Sequence, residues 1–140
     1  MPSRQSLIID HIRRDPYAAF LGARVEAVEP GYSRVTLTVD DHMLNFHGVA
    51  HGGLIFSLAD VAFAAASNAR GQTAVALQMS VSFMRAARAG DHLVAECRER
   101  DLNGPIGLYD IVIRRADSDE LVMQCQATVY RKREWFVSPE

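Results

Sequence analysis

This sequence has little cysteine, little proline and no strong charge imbalance, and each shortage excludes some kinds of protein. The 140 residues include two cysteines, five prolines and one tryptophan, and the formal net charge is -2. This balance gives no reason to expect nucleic acid or an anionic membrane as a partner. Cys97 and Cys125 lie in apparent strands without CxxC spacing. We therefore expect them to be buried, reduced thiols in a cytoplasmic protein.

Long hydrophobic runs are also missing from the sequence. The N-terminus has no positive cluster followed by an apolar core, which predicts that no signal peptide is present. The apolar stretch Leu54–Ala66 is too short and too rich in alanine for a membrane span. With 49% hydrophobic residues, the chain is suited to one domain with an ordinary core.

The order of predicted elements indicates an α+β fold. Ser6–Arg14 has helical spacing and ends before Pro16, with a short turn over 17–21, and Leu54–Asn68 predicts a long helix that is apolar on all sides. Strands are predicted over 23–29, 32–39, 73–85, 92–100, 108–115 and 121–131. Short turns between strands favour an antiparallel sheet, which must curl to cover the long helix. The open edges of such a sheet predict association of subunits.

The long helix contains one ionisable residue, Asp60. Burial disfavours the charged form of a carboxylate, so an isolated acid in a buried helix is costly unless it has a task or a good set of donors. Asp60 is therefore the first candidate for a catalytic residue.

Gly52 and Gly53 precede this helix, where the first N–H groups lack intrahelical partners and have a partial positive charge. Such a site suits an oxygen on which negative charge develops during acyl transfer, although a tight entry turn is an equal alternative. Asp60 lies about 12 Å further along the helix at the α-helical rise, so one carbonyl cannot contact both residues. If both are catalytic, they must come from two antiparallel helices across a two-fold axis, which predicts a dimer with composite sites.

Two other kinds of site are weaker. His42, His47 and His51 suggest a metal site, but the segment lacks HExxH and a cysteine partner, so no metal is expected. Ser57 lies on the helix of the aspartate, but a triad would need a G-x-S-x-G elbow that the sequence lacks.

Cations at the strand ends suggest a charged substrate. Arg85, Arg88 and the cluster at 131–133 could receive the phosphates of a nucleotide-bearing substrate. A solvated rim is the alternative for each of them.

The region around the long helix resembles a known family. The pattern N-x-x-G-x-x-HGG-x-x-x-x-LAD resembles the hotdog-fold acyl-CoA thioesterases and consists here of Asn45, Gly48, His51, Gly52, Gly53, Leu58, Ala59 and Asp60. The segments 82–85, 89–91 and 107–111 are similar to those of the phenylacetate-degradation (PaaI-like) branch. The resemblance covers residues 15 to 132.

The resemblance implies a hotdog fold, in which a curled antiparallel sheet wraps one long central helix. It implies a single thioesterase domain over 1–140, with an N-terminal helix in 1–15 and a tail over 133–140. The implied activity is hydrolysis of acyl-CoA thioesters without a cofactor. The acyl group would be arylacetyl, such as phenylacetyl or hydroxyphenylacetyl, or medium-chain. The enzyme would be a cytoplasmic homodimer with shared sites or a dimer of dimers (a homotetramer).

The resemblance also implies roles for individual residues. Asp60 would act as general base on water or as nucleophile, and the N–H of Gly52 from the other subunit would polarise the carbonyl. Asn45 would support the carbonyl or the water, and His51 would help to fix the loop and the thioester. The residues expected to bind substrate are Gly53, Phe46, Phe63, Met79, Arg85 and Arg88.

One position departs from the family pattern. Some relatives have a Ser or Thr on the strand after the helix that helps to hold the attacking water, whereas this chain has Ala76 near that place. The nearest polar residues are Thr73 and Gln78. This departure concerns the water-positioning role and the acyl preference. A non-catalytic acyl-CoA-binding module is the main alternative of a different class. A hotdog hydratase would pair histidine and acid at another spacing, and a purely structural domain would leave Asp60 unexplained.

Overall fold

The computed structural model describes residues 1–139 and contains one long helix packed against a sheet. The helices are α1 (Arg4–Ile12), α2 (Pro16–Leu21) and α3 (Gly52–Ser67), and a short 3-10 helix covers Asp41–Met43. The strands are β1 (Arg24–Glu29), β2 (Tyr32–Thr38), β3 (Gln72–Phe83), β4 (His92–Asn103), β5 (Ile106–Arg115) and β6 (Leu121–Trp135).

The six strands form one antiparallel sheet in the order β1-β2-β4-β5-β6-β3. Pairing shifts register at Val25/Ala27, Ala76/Gln78 and Glu99/Asp101, and such bulges bend a strand and increase its twist. The bent sheet packs against α3, and the predicted α+β hotdog arrangement is confirmed. Strands β1 and β3 are the two edges of the sheet.

The N-terminal segment contains a second helix where the sequence predicted a short turn. The Asp15 carboxylate accepts hydrogen bonds from the N–H groups of Tyr17 and Ala18 at 3.0 and 3.1 Å, and Pro16 occupies the first helical turn. Proline is favoured there because its missing N–H would lack a partner in any case. Gly22 ends α2 with a φ of 76°, a conformation that favours glycine.

The C-terminal tail begins later than position 133, because β6 continues through Trp135. Trp135 pairs with Gln72 of β3, and the Gln72 amide donates to the Lys132 carbonyl at 2.8 Å. Pairing with the neighbouring strand extends β6 over polar residues that show little alternation.

The long helix α3 is not buried on all sides, and this corrects the sequence prediction. The sheet packs against one side, here called the covered side, where residues such as Leu58, Ala62 and Ala66 are fully buried. The opposite side, here called the uncovered side, consists of the exposed residues Gly53, Phe56, Asp60 and Ala64. These are three or four positions apart and so share one face of the helix.

The two cysteines are buried free thiols, as predicted. Both pair with Ile111, Cys97 from β4 and Cys125 from β6. They are therefore two strand spacings apart, roughly 9.5 Å, which exceeds the reach of a disulfide. Among the described residues, no helix has the length and apolar character needed to span a membrane.

Candidate active site

The loop before α3 is organised by Asn45. Its side-chain oxygen accepts hydrogen bonds from the N–H groups of His47 and Val49 at 2.9 and 3.3 Å. Its own N–H donates to the Val49 carbonyl at 2.8 Å, and Gly48 completes the turn with a φ of 81°. The carboxamide oxygen of Asn45 is thus occupied by the loop, which leaves its NH₂ group as the donor for a ligand.

The first turn of α3 explains the second of the two consecutive glycines, Gly53. His51 caps the helix, and its Nδ1 accepts a hydrogen bond from the Gly53 N–H at 2.9 Å. A Cβ on Gly53 would lie 3.2 Å from that nitrogen, so a larger residue would crowd the cap. The His51 carbonyl accepts from Leu54 and Ile55. Within residues 1–139 the Gly52 N–H makes no hydrogen bond, and it is therefore a free donor at the positive end of the helix.

Asp60 is exposed, whereas the sequence predicted a buried acid. The reason is its place on the uncovered side of α3, which the sheet of its own chain does not reach. Loss of hydration in its surroundings, followed by the negative charge of Asp15, raises the pKa of Asp60 above its usual value. Among the described residues, no hydrogen bond or ion pair involves the Asp60 carboxylate. An unpaired carboxylate with a raised pKa is a stronger base than an ordinary aspartate.

The helix α2 lies beside Asp60, which the sequence did not predict. The Tyr17 hydroxyl is 3.1 Å from Ser57 Oγ, so the start of α2 contacts α3 one turn before Asp60. The signal was present in the Asp15–Pro16 pair, which is typical of a helix start. Its position against α3 depends on tertiary contacts that local sequence does not encode.

A cavity of about 290 Å³ opens at the first turn of α3. Its lining brings together two of the predicted residues, Gly52 and Arg85. Phe83 and Met84, which the sequence analysis did not single out, also line it, and each is 56% exposed. Exposed aromatic and thioether groups beside a free N–H suit a ligand with both an apolar and a carbonyl part.

The two predicted phosphate-binding arginines differ in their surroundings. Arg85 forms an ion pair with Glu120 at 3.4 Å and donates to the Leu121 carbonyl at 3.1 Å. The Arg88 guanidinium makes no contact of this kind within residues 1–139. Arg88 is therefore the more available of the two for an incoming anion.

The predicted aromatic pocket is only partly present. Phe63 is 1% exposed and packs edge-on against Tyr109 in the core at a ring distance of 5.6 Å, so its assignment to the pocket is wrong. The covered side of α3 contains Phe63, and the sequence could not show which side meets the sheet. Phe46 is 93% exposed beside His47, and Met79 is half-buried on β3.

The histidines serve local structure. His51 caps α3, the His47 ring lies 4.2 Å from that of Phe46, and His42 follows the start of the 3-10 helix. Over residues 1–139, no group of three His, Cys, Asp or Glu side chains is arranged to hold a metal ion.

Comparison with known proteins identifies the family of this chain. Residues 47–122, which include the first turn of α3 and Asp60, match the Thioesterase superfamily model. The chain belongs to the thioesterase superfamily. The acyl-coenzyme A thioesterase PaaI of Escherichia coli K12 is 42% identical over 115 residues, which cover 82% of this chain and 76% of that protein. A putative esterase of Archaeoglobus fulgidus is 39% identical over 124 residues, covering 89% and 80%.

Solved structures place this thioesterase in the same branch. The E. coli PaaI structure has a TM-score of 0.90 and 34% identity, and the match covers 94% of this chain and 96% of that one. A Streptococcus mutans protein solved with bound acetyl-CoA has a TM-score of 0.75 and 28% identity, covering 79% and 88%. The thioesterase is thus a PaaI-like acyl-CoA thioesterase with the hotdog fold.

Proposed function

We propose that this thioesterase hydrolyses arylacetyl-CoA or medium-chain acyl-CoA thioesters in a site shared by two copies of the chain. The observation that carries the proposal is a pair of unpartnered groups on α3, the Gly52 N–H and the Asp60 carboxylate. One group can stabilise an oxyanion and the other can activate water. The likeness to the E. coli PaaI protein, which comes from a phenylacetic acid degradation operon, supports an arylacetyl group.

Asp60 acts on water or on the thioester itself. As a general base it takes a proton from water while the oxygen attacks the carbonyl carbon, and the C–S bond then breaks to release CoA and the free acid. As a nucleophile it attacks the carbonyl carbon, the C–S bond breaks to release the CoA thiolate, and water hydrolyses the resulting mixed anhydride in a second step. In both routes negative charge develops on the carbonyl oxygen, where the Gly52 N–H donates.

The two groups come from different copies. Eight residues of helix separate Gly52 from Asp60, about 12 Å at the α-helical rise, so they cannot reach one carbonyl within one chain. Two α3 helices packed antiparallel through their uncovered sides would place each Gly52 beside the second copy's Asp60. The edge strand β3 supports this assembly because it exposes Val75, Leu77 and Phe83 at 40%, 57% and 56%. A dimer of dimers and a cytoplasmic location stay predictions.

The remaining predicted residues support the substrate around this centre. The NH₂ group of Asn45 lies on the loop before α3 and donates to the carbonyl or the water. His51 holds the first turn through Gly53, and Arg88 binds CoA phosphates more readily than Arg85. Phe46 and Met79 are the predicted apolar contacts outside the core.

A non-catalytic acyl-CoA-binding module is the second candidate, and Ala76 favours it. This residue lies on the exposed edge strand opposite Val129 and has no hydroxyl to hold an attacking water. In such a module Asp60 would be dispensable for affinity.

Hydrolysis of phenylacetyl-, hydroxyphenylacetyl-, benzoyl- and hexanoyl-CoA by the wild type and Asp60→Asn separates the two candidates. We expect the variant to lose roughly 10²–10⁴-fold in turnover, while circular dichroism and oligomeric state stay unchanged because asparagine has nearly the same size and shape as aspartate. Tight binding without turnover in the wild type would establish the binding module and contradict the proposed activity.

A further inference from the structure

A cavity of about 440 Å³ lies between the N-terminal helices and the second half of α3. Val61, Ala64 and Ala65 of α3 form its floor. Val61 directly follows Asp60, and Ala64 lies one turn further on the uncovered side. The cavity therefore begins within one helical turn of the carboxylate, about 5 Å along the axis. Its volume is within the range of small-molecule sites.

The walls of this cavity are mainly apolar, and the polar side chains among them are His11, Arg14, Asp15, Asn68 and Thr73. Ile12, Pro16 and Val25 supply apolar surface from α1, α2 and β1. The His11 ring stacks on Phe136 at a centroid distance of 4.7 Å and an angle of 22°, which fixes the plane of the imidazole. An apolar cavity with a few fixed polar groups is typical of sites that bind small organic ligands.

Two of the polar groups are already used by the fold. The Asn68 amide donates to the carbonyls of Ala64 and Ala74 at 2.9 and 3.2 Å and accepts from the Ala74 N–H at 2.8 Å. Asp15 caps α2 through its Oδ1. By contrast, the hydroxyl of Thr73, the ring nitrogens of His11 and the guanidinium of Arg14 make no hydrogen bond within residues 1–139. These three groups are therefore available to a ligand, and Thr73 is the least exposed of them.

The acyl pocket predicted from the sequence does not account for this cavity. Phe63 is in the core, and neither Phe46 nor Met79 lines the space. We propose that the cavity holds the acyl group, with its apolar body along Val61 and Ala65 and a distal hydroxyl at Thr73. The inference rests on the proposed function and assigns the residues that select among its acyl groups.

The substitution Thr73→Val tests the polar end, because it removes the hydroxyl and keeps the shape. We expect the ratio of kcat/KM for hydroxyphenylacetyl-CoA to that for phenylacetyl-CoA to fall about five- to tenfold, as the loss of one hydrogen bond predicts. Thr128→Val is the matched control, since Thr128 alternates with the buried Ala127 and Val129 and so lies on the outer face of the sheet. An unchanged ratio in Thr73→Val would overturn the assignment of the polar end.

The substitution Ala65→Leu tests the apolar body by filling the floor of the cavity. We expect kcat/KM for phenylacetyl-CoA to fall at least tenfold relative to acetyl-CoA, because the larger acyl group no longer fits. Ala19→Leu, on the exposed surface of α2, is the matched control. A parallel change for both thioesters would contradict the cavity as the acyl site. If Ala65→Leu does not fold, the ratio of kcat/KM for hydroxyphenylacetyl-CoA to that for phenylacetyl-CoA in Thr73→Val is the test of the cavity as the acyl site.

These results are distinguishable from a failure of the proposed function. If Asp60→Asn keeps full turnover, the catalytic assignment fails whatever the cavity binds. If Asp60→Asn is inactive while both cavity variants keep the wild-type acyl profile, only the cavity inference fails. Calorimetric binding of S-(2-oxo-3-phenylpropyl)-CoA, which cannot be hydrolysed, gives a readout without turnover. We expect at least tenfold weaker binding in Ala65→Leu, and unchanged binding would overturn the inference.

Discussion

The carboxylates near the two sides of α3 differ in their hydrogen bonding. On the covered side, Phe63 packs on Tyr109, whose hydroxyl donates to Glu99 at 3.2 Å. Glu99 also accepts two hydrogen bonds from Arg70, at 2.6 and 3.2 Å. On the uncovered side, Asp60 has no such partner among residues 1–139. A carboxylate with a full set of donors stabilises the fold, whereas one without donors is free to bind or react.

The pKa shifts agree with this contrast. Hydrogen bonding to Glu99 raises the pKa of Arg70, and burial raises the pKa of Tyr109, so both groups keep their protons at all ordinary pH values. Loss of hydration, followed by the charge of Asp15, raises the pKa of Asp60 and so disfavours its charged form. We therefore expect substitutions on the uncovered side to affect activity and substitutions on the covered side to affect stability.

The largest effect should come from removing the N–H of Gly52. Gly52→Pro removes this donor at a helix position that accepts proline, and His51 has the extended φ of -60° and ψ of 139° that a following proline requires. We expect kcat to fall about 10²–10³-fold, as for loss of one oxyanion donor. Gly52→Ala keeps the N–H, and its Cβ would meet Phe83 at an ordinary 3.8 Å, so it should stay active. Equal activity of the two variants would contradict a role for this N–H.

On the covered side, Glu99→Gln should change stability and leave activity intact. The neutral amide loses the charge-assisted hydrogen bonds to Arg70, which are half-buried, so we expect about 1–2 kcal/mol of lost unfolding free energy. Thermal unfolding and kcat/KM measured on the same sample check this. A loss of kcat in the folded variant would break the distinction between the two sides.

The sequence predicted the fold more accurately than it predicted which side of the helix each residue occupies. The motif from Asn45 to Asp60 and the alternating strands were sufficient for the hotdog arrangement, because they are local patterns. The predictions that Phe63 lines the substrate pocket and that Asp60 is buried were wrong for the same reason. In a helix rich in leucine, alanine and phenylalanine, periodicity does not indicate which face packs on the sheet.

The terminal segments were predicted less well because their structure depends on distant residues. The extension of β6 to Trp135 depends on pairing with Gln72, and the Lys132–Trp135 segment lacks the alternation that predicts a strand. The position of α2 beside Asp60 depends on the contact between Tyr17 and Ser57. Neither the pairing of Trp135 with Gln72 nor the contact of Tyr17 with Ser57 can be recognised from the residues next to it in the sequence.

A smaller effect is expected from the exposed cations. Arg88→Ala should raise KM for acyl-CoA about two- to fivefold, since an exposed charge contributes up to about 1 kcal/mol. Arg85→Ala should raise it less, because Arg85 already pairs with Glu120. The increase in KM relative to the wild type should be smaller at high salt, because salt screens exposed charges. A larger effect of Arg85→Ala at low salt would reverse the assignment.

The smallest effect concerns the pH dependence of the uncovered side. The charge of Asp15 raises the pKa of Asp60, so Asp15→Asn, which can still cap α2, should lower it. Since Asp60 must be ionised to act, the acid limb of the pH profile of kcat/KM should move to lower pH. A shift to higher pH, or none, would show that Asp15 does not act on Asp60 through its charge.

The central claim is that Gly52 and Asp60 of different copies act on one thioester. Gly52→Pro and Asp60→Asn chains, each inactive alone, can be mixed, unfolded together and refolded. If the sites are shared, each mixed dimer regains one intact site, and random mixing should restore about one quarter of wild-type activity. If each site belongs to a single chain, every site in the mixture contains one defect. Activity no higher than that of the separate variants, with mixed dimers present, would contradict the account.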